Sequence, residues 1–267
     1  MENVNQEQAD KYLPLAGRVA LITGVSRSRG IGFSIAKQLA QHGADLFLQG
    51  WTPYDRDKYR DVEPKAVTEL VSELRATGRR VEYLEADFLD PHTPARLIQA
   101  AVEAFKHINI LIVNHTHSSS GYLEDLSAEQ IDTHLQVNVR GSLLLVKEWV
   151  AQYDGGPGGR VILMTSGQHL QAMSTELAYV ASKGALHQLT LSLSSHLISR
   201  GITVNTINPG ATDTGYATPT LYQHVLTLEP QGRWGRPDDA ARIITWLATD
   251  DAQWVTGQVI NSTGGGP

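Results

Sequence analysis

Two residues in this sequence are well suited to moving a proton: Tyr179 and Lys183, in the run Tyr179-Val180-Ala181-Ser182-Lys183. On a helix, positions four apart share one face. A free phenol ionises near pH ~10, so it holds its proton at neutrality. A neighbouring ammonium favours the phenolate, and a shift of about three units corresponds to about 4 kcal/mol. Thirteen positions before Tyr179, Ser166 follows the apolar run Arg160–Met164, which puts a second hydroxyl at a strand end. Two hydroxyls and a cation suit a reaction that builds negative charge on an oxygen, as when hydride reaches a carbonyl carbon. A Tyr-Lys pair alone is common on helix surfaces; the upstream serine is what points to proton transfer.

The other chemical feature is a glycine-rich turn, Thr23-Gly24-Val25-Ser26-Arg27-Ser28-Arg29-Gly30-Ile31-Gly32, between a strand pattern and a helix pattern. Glycines let backbone approach a pyrophosphate, whose charge meets the free N–H groups of the helix start. No Lys-Ser/Thr follows the last glycines, so a Walker A loop is excluded. Arg27 and Arg29 lie within the turn, and the next strand ends Leu48-Gln49-Gly50-Trp51-Thr52 without an acid, Asp55 being the nearest. A carboxylate near that position would hold a ribose 2′-hydroxyl, whereas arginines attract a 2′-phosphate. This favours NADP(H) over NAD(H); the alternative is that both arginines are solvated or paired with acids.

Positioning these groups requires strands that end beside one another. Short β-branched runs at Arg18–Thr23, Asp45–Gln49, Val81–Ala86, Ile108–Val113, Arg160–Met164, Thr203–Ile207 and Gln258–Asn261 read as strands. Helical patterns over Ile31–His42, Glu63–Thr77, Thr93–Lys106, Ala128–Tyr153, Tyr179–Arg200 and Asp238–Ala248 alternate with them. Gly141 marks a bend or a close approach in the fourth of these, and Gly155–Gly159 reads as a turn. Strands joined through helices are parallel, with right-handed crossovers. The expected fold is α/β: a single Rossmann-like doubly wound domain over 15–267, a parallel sheet of about seven strands with helices on both faces, preceded by a polar arm over 1–14.

The 267 residues carry 22 Lys+Arg against 28 Asp+Glu, a net charge of −6, which argues against general affinity for nucleic acid or anionic membranes. With no cysteine, disulfides, thiolate metal sites and a cysteine nucleophile are excluded. The N-terminus is polar and acidic, unlike a signal peptide, and no apolar run approaches the roughly 18 residues that span a bilayer. The expectation is a cytoplasmic protein without membrane contact, in which the sequons at Asn114 and Asn261 carry no glycan.

Taken in order, the motifs TGVSRSRGIG, Asp87 after the third strand, Asn138 in VNVRG, Ser166, YVASK, NPGATDT and WVTGQ resemble the short-chain dehydrogenase/reductase family, specifically its 3-oxoacyl-ACP reductase-like members, from about Leu15 to Gly266. The resemblance implies that Ser166 hydrogen-bonds a substrate carbonyl and that Tyr179 is the general acid in reduction or base in oxidation. It also implies that Lys183 holds the nicotinamide ribose and lowers the Tyr179 pKa, while Asn138 anchors a water in the proton relay. Cofactor contacts implied likewise are Gly24, Ser26, Arg27, Arg29, Gly30, Ile31, Gly32, Trp51, Asp87, Phe88, Asn114, Tyr179, Lys183, Pro209, Gly210, Thr212 and Thr214. Asp87 would accept the adenine amino group; the alternative is a cap on the following helix. The stretch Thr218–Leu228, within a lid region around 212–230, is either a mobile apolar cover over substrate or a packed surface helix.

Departures from the family pattern are a longer glycine loop, with five residues between Gly24 and Gly30, and Asn114-His115-Thr116-His117 where relatives have Asn-Asn-Ala-Gly. The C-terminal Asp-Gly-Gly of many relatives reads Ser262-Thr263-Gly264-Gly265. His115 and His117 are read as lining the cleft rather than binding metal, since no H-E-x-x-H or acidic ligand cluster accompanies them. Trp149, Trp246 and Trp254 read as core or subunit contacts, and a homo-oligomer, tetramer or dimer, is expected by resemblance. The function expected is hydride transfer between nicotinamide and a carbonyl or alcohol of a small molecule or acyl thioester. The rival is a non-catalytic NADP(H)-sensing protein on the same fold.

Overall fold

Four-residue runs such as Val-Ala-Leu-Ile and Ile-Leu-Ile-Val have no polar face, which suits strands covered on both sides. In the computed structural model, which describes residues 13–59, 65–154 and 158–266, they lie at the centre of one parallel sheet. Its strands are β1 Val19–Ile22, β2 Asp45–Gly50, β3 Val81–Glu85, β4 Ile110–Val113, β5 Gly159–Met164, β6 Ile202–Asn208 and β7 Val259–Asn261. The spatial order is β3-β2-β1-β4-β5-β6-β7. The expected doubly wound sheet of seven strands is therefore present. Chain order reverses between β1 and β4, paired in register at Ala20–Ile110 and Leu21–Leu111. That junction opens a crevice beyond the strand ends.

Alternation within each strand divides the core. Ala20, Ile22, Leu46, Leu48, Ile110 and Ile112 face α1 (Ile31–Gln41), α3 (Ala66–Arg75) and α9 (Pro237–Ala248). Val19, Leu21, Phe47, Leu111 and Val113 face α4 (Thr93–Phe105) and α6 (Ser142–Gln152), where Trp149 is fully buried and its indole N–H donates to Ile108 O at 3.1 Å. Each fully buried Leu or Ile contributes about 1.5–3 kcal/mol, so both helical layers are held by area rather than by ion pairs.

Four local expectations are corrected. Residues after β2 form an additional short helix, α2 (Thr52–Lys58), with Pro53 in its first turn. The stretch expected as one helix over Ala128–Tyr153 is three pieces: α5 (Ala128–His134), a wider π turn (Leu135–Gly141) and α6. Ser127 opens α5 through a reciprocal cap with Gln130. A Cβ on Gly141 would stand 2.9 Å from Phe88 Cδ1, so this glycine admits the Phe88 ring against the wide turn. The helix begun near Tyr179 is α7 (Leu177–Leu197), closed by a 3₁₀ turn at Ile198–Arg200. Trp254 occupies a turn rather than a strand or helix and is 95% exposed.

The lid stretch contains α8 (Pro219–Leu228), capped by Thr218 and without a buried side chain. Trp234 stacks on Tyr222 and donates to its carbonyl at 3.0 Å, tethering α8 at one point. The arm up to residue 12, the first two residues of the expected Glu63–Thr77 helix and Gly155–Pro157 of the expected turn lie outside the described residues. No helix among the described residues is long and apolar enough to cross a membrane.

Candidate active site

The sheet's switch point opens into a cleft of about 410 Å³. Its catalytic end is built where β5 meets α7. Thr165, just past β5, donates to the Lys183 carbonyl at 2.9 Å, and the Lys183 ammonium returns to the Met164 carbonyl at 2.9 Å. This double clasp docks α7 on the strand end. Ser166 then lies beside Tyr179, and both line the cleft wall, the serine hydroxyl near enough to favour the phenolate.

Asn138 lies behind that wall, fully buried. Its amide clamps the His117 backbone, accepting from His117 N at 2.7 Å and donating to His117 O at 2.9 Å, and also donates to Ser182 Oγ at 2.9 Å. Ser182 in turn donates to Tyr179 O at 2.8 Å. The π turn, the loop after β4 and α7 thus share one hydrogen-bonded frame.

Electrostatics here are set by dehydration. Burial pushes the Tyr179 phenol above its usual value, opposed by the Ser166 bond and reinforced by the Glu176, Tyr216 and Tyr54 groups that face it. Burial lowers the Lys183 amine to about 7, and its Nζ lies 5.7 Å from the Tyr179 ring centroid. Among the protein's own groups, burial dominates at the phenol. Tyr179 is therefore protonated at neutral pH, the state required of an acid that protonates a reduced carbonyl.

At the opposite end, the β1 turn is shaped for an anion. Gly24 has φ +71, and a Cβ there would stand 2.9 Å from Asn114 Nδ2 and 3.0 Å from His115 N. Asn114 Nδ2 donates to the Thr23 and Gly24 carbonyls at 3.0 and 3.1 Å, and Gly24 N donates to Gln49 Oε1 at 3.0 Å. Helix α1 starts at Gly30 with no side-chain cap and no acid in its first turn, and Gly30 and Ile31 line the cleft. Uncapped N–H groups above a glycine turn fit the diphosphate of a dinucleotide. Gly32 is buried beneath the turn, where a Cβ would meet Gly24 O at 2.4 Å. Gly32→Ala is expected to destabilise the fold by about 1–3 kcal/mol and to weaken dinucleotide binding about tenfold or more. Thermal melting and calorimetric titration check both; unchanged affinity would contradict the phosphate assignment.

The remaining sequence candidates separate into groups. Ser26, Arg27, Trp51, Asp87, Phe88, Pro209, Gly210, Thr212 and Thr214 line the cleft, whereas Arg29, Gly32, Asn138 and Lys183 are not on its surface. Arg29 points outward to Asp213 at 3.3 Å. Arg27 packs its guanidinium 3.3 Å from the Tyr59 ring centroid and donates to Thr214 O at 2.6 Å. Asp55 accepts the Ser26 hydroxyl. Asp87 accepts from Leu89 N at 2.9 Å, while His92 stands at the N-cap of α4. The Phe88 ring lies inward, stacked 3.6 Å from His115.

The two histidines differ. His115 is buried, taking the Thr23 hydroxyl on Nδ1 at 2.8 Å and donating from Nε2 to Val137 O at 3.1 Å. It lines the cleft as expected, with both ring nitrogens engaged by the walls. Burial lowers it to about 3, so it folds neutral. Below pH ~6.5 the unfolded chain binds a proton that this site refuses, and stability falls by about 1.4 kcal/mol per pH unit for this group. Urea unfolding at pH 7 and 5.5 checks the loss, which His115→Asn is expected to reduce. His117 lines the cleft, between Tyr54 at 5.4 Å and His134 at 4.7 Å.

Tyr54, Lys58, Tyr59, Met173, Glu176 and Tyr216 also line the cleft but were not singled out from the sequence. Pro53 in a first helical turn was the available signal for the α2 members. Nothing local marks Glu176 or Tyr216.

Comparisons with known proteins agree with this geometry. The sequence model of the family described as Enoyl-(Acyl carrier protein) reductase matches residues 24–266. The uncharacterized oxidoreductase YjdA of Bacillus subtilis (strain 168) is 38% identical over 93% of this chain and 96% of its own. The NADPH-dependent aldehyde reductase-like protein, chloroplastic, of Arabidopsis thaliana is 34% identical over 95% of each chain. Among solved structures, a short chain dehydrogenase from Burkholderia cenocepacia J2315 in complex with NADP superposes with a TM-score of 0.85 at 30% identity, covering 94% of this chain and 98% of the other.

Proposed function

Because the chain belongs to the short-chain dehydrogenase/reductase family, an oxidoreductase family acting on carbonyl and alcohol groups with NAD(P), we propose that it is an NADP(H)-dependent carbonyl reductase. The observation that carries this reading is the placing of Ser166 beside Tyr179 on the wall of the cleft that also holds the uncapped start of α1. Bound nicotinamide supplies the hydride. Ser166 donates a hydrogen bond to the substrate carbonyl and holds it beside the Tyr179 phenol. Tyr179 gives its proton to the carbonyl oxygen as charge develops there. Lys183 sits one turn behind, buried against the Met164 carbonyl, from where its amine would hold the nicotinamide ribose, and Asn138 holds the wall at which a water would reprotonate the relay. Gly24, Gly30 and Ile31 would cradle the diphosphate, with Gly32 packed beneath them, and Ser26, Arg27, Trp51, Asp87 and Asn114 would surround the adenosine half. Pro209, Gly210, Thr212 and Thr214 flank the nicotinamide.

The NADP(H) preference is supported by β2 ending without a carboxylate, by the Arg27 guanidinium at the cleft and by the NADP complex of the Burkholderia neighbour. Asp55, which accepts the Ser26 hydroxyl and lines the cleft, is the feature there that opposes a 2′-phosphate. The lid region around 212–230 closes over substrate, and α6 and α7, with Leu191 exposed on α7 and Ile198 on the turn that closes it, form the contact between subunits of a homo-oligomer in the cytoplasm. The binding-only alternative has no observation in its favour. The test is NADPH and NADH oxidation with a panel of ketones, aldehydes and 3-oxoacyl thioesters. Expected is turnover with at least one carbonyl and about tenfold or greater kcat/KM for NADPH; equal efficiency with NADH removes the preference, and no turnover removes the reductase reading.

A further inference from the structure

The cleft beyond Ser166 and Tyr179 has a composition of its own. Tyr54 reaches it from α2 and His117 from the loop after β4, their rings 5.4 Å apart, and Tyr216 reaches it from the segment before α8. These rings are held in place. The Tyr54 hydroxyl accepts from Ser118 N at 3.1 Å and donates toward Ser118 O at 3.3 Å. The His117 backbone is clamped by Asn138, and Tyr216 leans edge-on against Trp234 at 5.9 Å. Rigid aromatic walls bind a flat partner with little side-chain ordering.

Glu176 stands in the same part of the cleft, one turn before Tyr179. Its half-buried carboxylate faces Lys58 and the Tyr179 phenol, and among the described residues none donates a hydrogen bond to it. It is an acceptor on the cleft lining, close to the Tyr179 phenol. A carboxylate there repels anionic substrates and rewards a neutral one carrying a hydroxyl. A flexible acyl chain uses neither the rings nor the acceptor.

We propose that the substrate is a hydroxylated aromatic ketone, its ring seated among Tyr54, His117 and Tyr216, its hydroxyl donated to Glu176 and its carbonyl held by Ser166 and Tyr179. This rests on the carbonyl-reductase reading. In the reaction a hydride from NADPH bonds to the carbonyl carbon as the C=O π pair moves to oxygen. The Tyr179 proton joins that oxygen, so the ketone becomes a secondary alcohol and NADPH becomes NADP⁺.

The test uses the full chain with NADPH and four compounds: 1-tetralone, a ring-hydroxylated tetralone, 2-octanone and the acetoacetyl thioester of N-acetylcysteamine. Expected kcat/KM is about tenfold higher for the hydroxylated than for the plain tetralone, and higher for both than for the other two. Glu176→Gln brings the two tetralones within about threefold, while Tyr54→Leu lowers both together and keeps their ratio. Calorimetric binding of the hydroxylated tetralone to the cofactor-free protein weakens about tenfold in Glu176→Gln. A thioester or 2-octanone turned over better than both tetralones overturns the inference alone, as does a hydroxyl preference that survives Glu176→Gln. No NADPH oxidation with any compound overturns the reductase reading and this inference with it.

Discussion

Tyr179→Phe is expected to lower kcat/KM for carbonyl reduction about 10³-fold while NADPH affinity stays within about threefold. The substitution removes one oxygen from a half-buried ring and leaves the ring's packing in place. What it deletes is the proton that must reach the carbonyl oxygen and one of the two donors facing it, since Ser166 remains. Burial keeps the phenol protonated well past neutrality, so wild-type reduction is expected to stay flat across neutral pH. Alcohol oxidation, which needs the phenolate, is expected to rise with pH over the same range. Calorimetric titration separates binding from chemistry. A phenylalanine variant with near-wild-type turnover contradicts the assignment of Tyr179.

Lys183→Met is expected to lower kcat/KM about 10²-fold or more and to weaken cofactor binding as well, because the amine is assigned a ribose contact that Tyr179 does not replace. It also has a signature in stability. The amine is only 2% exposed, and its folded value of about 7 lies below its ordinary one. Between pH ~7 and ~10.5 the unfolded chain therefore holds a proton that the folded chain has released. Wild-type stability is expected to rise with pH through that window by up to about 1.4 kcal/mol per unit, and the methionine variant is expected to lack the rise. Urea unfolding of the cofactor-free protein at pH 7.5 and 9 reads the difference; parallel curves contradict a buried, deprotonating amine.

Most of the fold is legible in the sequence because its signals are local. Runs such as Val-Ala-Leu-Ile alternate with helical periodicity, and topology rules permit little besides a doubly wound sheet. The Tyr179 and Lys183 pair follows from helical spacing, and Ser166 from its place after an apolar run. What escapes is set by distant partners. Arg27 and Arg29 look available in the sequence, yet they meet Thr214 and Asp213, 187 and 184 positions away. His115 reads as a cleft residue and is one, but the sequence does not show that Thr23 and Val137 engage both nitrogens of its ring. Helix α2, seven residues with mixed polar chemistry, has too little periodicity to announce itself, so Tyr54 and Lys58 go unseen. The π turn is foreshadowed only by Gly141, because its cause is a phenylalanine from another element.

The most direct measurement follows the hydrogen itself. NADPH carrying deuterium on the transferring face of nicotinamide C4 is incubated with the enzyme and a ketone from the panel, and the alcohol is analysed by mass spectrometry and NMR. One deuterium on the carbinol carbon, with the hydroxyl hydrogen drawn from solvent, is the result this account predicts. An alcohol without label at that carbon, or label lost to water, would contradict it.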